Sequence, residues 1–269
     1  MSDEHIHSIS SLYEAAETAW RAFQPTHELW FRGHTCAAWK LQAAAHRGLI
    51  RSIESEQAMS FQFRRQARIR HPNCPADDDL AGWLALMQHY GLPTRLMDWT
   101  SSLLVAAFFA LRDRADHHDC KDCQGDATIR ALSPFAPNKH LVESDSMPVL
   151  GFGASSEYVT SLFNREPPPD KALAVVQPEF DLRMMLQQAA FTIHDMTQPL
   201  EENALRDKFL MRFTIPRDAK RELEHMLRMG GTRESHLFPD LEHLSHEIIR
   251  EKTSDTINAL ADGPPRRTL

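Results

Sequence analysis

The sequence predicts an α+β fold: a single domain with a mixed central sheet, a buried apolar helix and flanking helices. Three observations predict it. Short extended runs such as "LWFRG" (29–33), "TRLMDWT" (94–100) and "KFLMRFTIP" (208–216) interleave with helical runs, without the strict alternation of βαβ units. "LLVAAFFALRD" (103–113) is apolar all round, the signature of a helix at the centre of a fold. No internal repeat or break in composition divides the 269 residues, whose hydrophobic share of 42% and charged share of 25% suit a globular core.

The elements follow in order. "SSLYEAAETAWRAF" (10–23) repeats Leu12, Ala15, Ala16, Ala19 and Phe23 at helical period, with Ser11 and Glu14 at capping-box spacing. "LWFRG" is a Gly-terminated aromatic strand, and 51–70 is a helix stopped near Pro72. The helix at 77–91 opens on acidic residues and closes at Gly91; the strand at 94–100 leads to Thr100, Ser101 or Ser102 as cap of the apolar helix. Strands are expected at 127–134 and 172–178, a helix at 179–189, extended chain at 191–195 and 208–216, and helices at 217–231 and 239–252. The expected organisation is a helical extension (1–28), a main domain (29–252) and a flexible tail (253–269).

Composition narrows the function. No apolar run approaches the roughly 18 residues of a membrane span, and the N-terminus lacks the regions of a secretory signal, so a cytoplasmic protein without a membrane partner is expected. Four cysteines are too few and too uneven for a disulfide framework. A net charge of −7 argues against a dedicated nucleic-acid binder, leaving only a weak case in the arginines at 64, 65, 68 and 70, which read first as a solvated helix face.

Two stretches concentrate chemistry: "LWFRGH" (29–34) and "QHYGLPTRLMDWTSS" (88–102). On a strand Trp30 and Arg32 share a face; the guanidinium fork suits phosphate or carboxylate, and Gly33 would let a ligand approach the backbone. The second stretch sets Gln88, His89 and Tyr90 at a helix end. It then places Thr94, Asp98 and Thr100 on one strand face and Arg95 and Trp99 on the other, so either Asp98 or Arg95 meets a cavity, not both. Arg32, Gln88, His89 and Asp98 are expected to line one pocket. The inert alternative is an Arg32 paired with a structural acid, Asp98 being the first candidate.

With "WFRG", Trp39 and Leu41, then "QHYGLPTRLMDWTSSLLVAAFFAL", the chain resembles the FRG domain family, known by its (F/Y)RG motif and a QHxGxPTRLLDWT-like segment before an apolar helix. "RMMLQQAAFTIHD" (183–195) and 213–248 extend the resemblance to about residues 29–250. Met97, "TSSL", Ala190 and an insertion at 117–124 depart from the pattern. The resemblance implies a bacterial or phage defence or toxin-like setting and names no reaction.

Three readings follow. One is an enzyme acting on NAD or a nucleotide and resembling ADP-ribosyltransferases. Arg32 would hold a phosphate, Thr100 or Ser101 the ribose, and Glu242 would stabilise the cation that glycosidic cleavage develops. NAD is then a substrate, and no resident cofactor is implied. The second is a hydrolase or nuclease pairing His89 with Asp98 or Glu242 as acid and base. The third is a module that senses a nucleotide or nucleic acid without turnover, using Trp30, Tyr90, Trp99 and the arginines. No metal site is assigned: His117, His118, Cys120 and Cys123 have zinc-binding residue types but lack a second ligand pair. The histidines at 225, 236, 243 and 246 read as surface or cap residues, and "FNREPPPDK" (163–171) as a bend.

Overall fold

A computed structural model describes residues 4–24, 28–47, 52–112, 125–164, 171–177, 181–194 and 198–261. The strands are β1 (Glu4–His5), β2 (Trp30–His34), β3 (Leu96–Thr100), β4 (Ala127–Leu132), β5 (Ala172–Val175), β6 (Ala189–His194) and β7 (Leu210–Ile215). The helices are α1 (Ile9–Phe23), α2 (Ile53–Ala67), α3 (Leu80–His89), α4 (Leu103–Leu111), α5 (Phe135–Leu141), α6 (Ser156–Asn164), α7 (Leu182–Leu186), α8 (Lys220–Met229), α9 (Glu234–Leu237) and α10 (Leu241–Ala261).

The strands form one mixed sheet in the order β1-β7-β4-β2-β3-β6-β5, with β1 parallel to β7 and the other pairs antiparallel. Alternation along each strand sends Phe31, Ile129 and Phe213 to one face. There they meet Leu12, Ala15 and Ala19 of α1, Ala106 and Ala110 of α4, and Leu223 and Leu227 of α8. Farther along that face Leu96, Leu173 and Ile193 pack with Leu84 and Met87 of α3 and Tyr158 and Leu162 of α6. Trp30, Met97, Trp99 and Leu132 belong to the opposite face, under Leu41, Leu200 and Phe209. The apolar helix α4 is central, as its composition predicts, with Ser102 as cap: its Oγ accepts from Val105 N.

Ahead of β2, β1 joins the sheet and Leu12, Ala15 and Ala19 of α1 pack into its core. The helix starts earlier than Ser11 and Glu14 suggest: Ser8 is the cap, and it forms the capping box with Ser11. At the other end α10 runs to Ala261, past residue 252. Helices α5 and α6 were not expected. Among the described residues, no helix is long and apolar enough to cross a membrane.

Candidate functional site

The middle of the sheet is open. Strand β2 pairs β4 in full register from Trp30↔Leu132 to His34↔Thr128, and β3 pairs β6 from Leu96↔Ile193 to Thr100↔Ala189. Between β2 and β3 the register is limited to Phe31↔Thr100. Past that pair the Arg32 side chain enters the gap, and its NH1 donates to the Asp98 carbonyl, occupying an acceptor that a backbone N–H of a neighbouring strand would ordinarily reach. The Arg32 Nε donates to His34 Nε2 at 2.9 Å, and its NH1 stands 3.9 Å from the Asp98 carboxylate.

Around this opening lies a cavity of about 790 Å³, within the range of small-molecule sites. Arg32, Gln88, His89 and Asp98 all line it, as do Gly33, Tyr90, Trp99 and Thr100. Asp98 is the acid of this wall among the described residues; of its four arginines Arg32, Arg47 and Arg183 act on Asp98, while Arg112 is paired with Glu234 at 2.6 Å. Burial pulls the Arg32, Arg47 and Arg183 guanidiniums below their usual value, and Asp98 opposes that pull at each. Arginine stays protonated through such shifts, so the cleft carries a net positive charge and suits an anion.

Helix α3 delivers its last turn to the cleft with a full C-terminal cap. Gly91, at φ +76, donates to Gln88 O, and Leu92 N donates to Met87 O, so Gln88 and His89 occupy a fixed turn. Thr94 Oγ1 donates to Gln88 Oε1, which leaves the Gln88 amide nitrogen to donate to both Asp98 oxygens at 2.9 Å. A buried threonine therefore sets the orientation of the amide that holds the carboxylate. The Asp98 side chain remains 57% exposed, open to a ligand. His89 Nδ1 lies 2.8 Å from Asp181 Oδ2, so the acid beside His89 is Asp181, in place of the Asp98 or Glu242 expected from sequence.

Behind the opening a buried polar chain supports the strands. Trp99 Nε1 donates to Thr192 Oγ1 at 2.8 Å, and that hydroxyl stands 2.6 Å from His194 Nε2. Burial first, then His46 and Arg32, hold the His194 imidazole down at about 3. His34 is likewise held well below its ordinary value by burial, with Arg32, Arg130 and Arg47 adding to it. Both rings are neutral at neutral pH.

Several expected site residues stand elsewhere. Arg95 is fully buried in an ion pair with Glu56 at 2.7 Å, with further donation to Tyr158 O and Ser161 Oγ, so of Arg95 and Asp98 it is Asp98 that meets the cavity. Trp30 packs in the core under Leu41, its Nε1 donating to Glu28. Ser101 lies beside Gln188, outside the cavity wall. Thr94 acts on the cavity only through Gln88. Glu242 is exposed on the first turn of α10 and does not line the cavity. Gly33 serves packing rather than ligand approach, because an added Cβ would lie 1.9 Å from the Ala106 carbonyl oxygen of α4. Of the basic helix face, Arg64 and Arg68 pair with Asp77 and lie over the Trp83 ring. His117, His118, Cys120 and Cys123 lie outside the described residues.

Arg47, Arg183 and Phe238 are wall residues that the motif reading did not single out. Arg183 and Gln187 come from the "RMMLQQ" segment, where an arginine and a glutamine four apart fall on one face of a helical turn. Arg112 and Arg183 both lie against the Phe238 ring, at 4.7 and 4.6 Å, and Gln187 Nε2 donates to Leu237 O. The end of α9 thus closes the wall that begins at β2.

No curated protein and no solved structure matches the chain. The family model described as FRG domain matches residues 27–119, the stretch from just before β2 through α4 that supplies Arg32, Gln88, His89 and Asp98. Arg183, Gln187 and Phe238 complete the wall from beyond that match. The chain carries an FRG domain, at residues 27–119.

Proposed function

We propose that the cleft takes a phosphate-bearing nucleotide, NAD in the first instance, and cleaves it at a glycosidic bond, in a manner resembling ADP-ribosyltransferases. One observation carries the reading: a single partly exposed carboxylate, Asp98, set among Arg32, Arg47 and Arg183 in a cavity walled by aromatic rings. Guanidiniums offer paired donors to phosphate oxygens, and Tyr90, 56% exposed on the cavity wall, offers a ring against which a base can lie. Breaking the bond between ribose and a nitrogen leaving group puts positive charge on the sugar carbon, which a nearby carboxylate stabilises. Asp98 fills the place that the sequence reading gave to Glu242.

Incubation with NAD and measurement of released nicotinamide tests this. The wild type should release nicotinamide, Asp98→Asn should lose about 10²-fold or more of the rate, and Glu242→Gln should keep it. The same arginines and rings also suit a module that binds a nucleotide without turnover; NAD binding with no nicotinamide released decides for that reading.

A further inference from the structure

Asp181 is hydrogen-bonded at one carboxylate oxygen and stands against an imidazole with the other. It caps α7, where Oδ1 accepts from Met184 N at 2.8 Å, while Oδ2 lies 2.8 Å from His89 Nδ1. Both side chains are about three-quarters buried, and the Tyr90 ring meets the imidazole edge-on with centroids 4.9 Å apart. A carboxylate that accepts from this ring would keep the imidazole proton on Nδ1 and the lone pair on Nε2. The pairing joins the end of α3 to the start of α7 across a cavity that His89 lines together with Asp98.

We infer that Asp181 is a positioning residue that holds His89 as the general base of this cleft, taking a proton from the water or hydroxyl that attacks the ligand. The inference rests on the NAD reading given above. With water as nucleophile the step balances as follows. The water oxygen forms a bond to the ribose carbon, and the carbon–nitrogen bond breaks with its electron pair going to nicotinamide. One water proton passes to His89 Nε2 and then to solvent. ADP-ribose, nicotinamide and one proton result, without an oxidant or reductant. Asp98 faces the developing cation, and His89 the developing nucleophile.

The charges facing the ring agree with a base that is neutral at neutral pH. Burial lowers its proton affinity below the ordinary histidine value, Asp181 opposes this, and Arg183 from α7 and His71 from the chain after α2 add to it. A base placed so should already be free of its proton at neutral pH, with activity falling only as the medium becomes acidic.

The test is Asp181→Asn in the full chain, read in two ways. The amide oxygen can still cap Met184 N, which turns the amide NH₂ toward His89 and favours the tautomer protonated at Nε2. Nitrogen-resolved NMR should show the Nδ1–H tautomer in the wild type and the other in the variant. The kcat for nicotinamide release should fall about 10²-fold or more with KM little changed, and His89→Gln should match it. A wild-type Nε2–H tautomer, or a variant as fast as the wild type with the same pH profile, overturns the role of Asp181 alone. A wild type that releases no nicotinamide overturns the NAD reading, and the base role with it.

Discussion

Arg32 and Asp98 meet where β2 and β3 part: the guanidinium donates to the Asp98 backbone carbonyl and faces its carboxylate at 3.9 Å. One side chain thus closes a gap in the sheet and presents a cation to the cavity. The contact differs from the inert pairing considered at the sequence level, because Asp98 is mostly exposed and the Arg32 charge is shared with the cleft.

This dual use makes Arg32→Lys informative. An ammonium is a point donor and cannot reach both the Asp98 carbonyl and His34 with the geometry of the fork. Affinity for NAD should fall at least about 10-fold by calorimetry, and stability by roughly 0.5–1.5 kcal/mol for the hydrogen bond lost. An unchanged dissociation constant would remove Arg32 from the ligand-binding wall.

Gly33→Ala separates packing from ligand approach. The new Cβ would stand 1.9 Å from the Ala106 carbonyl oxygen and 2.6 Å from Ala110 N, backbone atoms of α4 that cannot swing aside. Overpacking of this kind costs about 1–3 kcal/mol or more. Denaturant titration should show that loss; a variant of native stability with weakened NAD binding would return Gly33 to the ligand's side.

Arg95 should behave as a structural residue. Glu56→Ala leaves its guanidinium buried without a counter-charge, which should cost about 3–5 kcal/mol. Calorimetry on the folded protein should still give a dissociation constant for NAD within about twofold of the wild type, since loss of a buried pair remote from the ligand affects stability first. A large fall in affinity at native stability would contradict this placement.

These residues also show what the sequence could reveal. Period-2 and period-3.6 patterns are local, so the central strands and α4 were legible, and the 88–102 connector stood out because Gly91 and Pro93 force a turn among polar side chains. The helices α5 and α6 were hidden: α5 is seven residues with Pro137 inside it, and α6 carries Val159 and Thr160, β-branched residues that weaken its helical signal. The choice between Arg95 and Asp98 could not be made locally, because it depends on Glu56 arriving from α2 to neutralise the first. Asp181 and Phe238 were hidden for the same reason, as tertiary contacts alone bring a helix cap to His89 and a ring to two arginines.

The buried histidines should make the fold sensitive to acid. His194 Nε2 stands against Thr192 Oγ1, which already accepts from Trp99 Nε1 and so has its own proton to donate to the ring. Protonating that nitrogen would lose the bond the hydroxyl donates and place a charge in a fully buried site, in keeping with a folded-state value of about 3 against 6.5 ordinarily. The unfolded chain therefore binds the proton first as pH falls. His194 leaves stability intact above about pH 6.5 and removes it progressively between about 6.5 and 3, by up to about 1.4 kcal/mol per pH unit. His34, also held low, should act in the same direction. Denaturant midpoints between pH 7 and 5 should drop for the wild type and drop less for His194→Gln, whatever the variant's stability at pH 7. Equal slopes in the two proteins would mean that the imidazole titrates freely, and the Trp99–Thr192–His194 chain would lose its place behind the cleft.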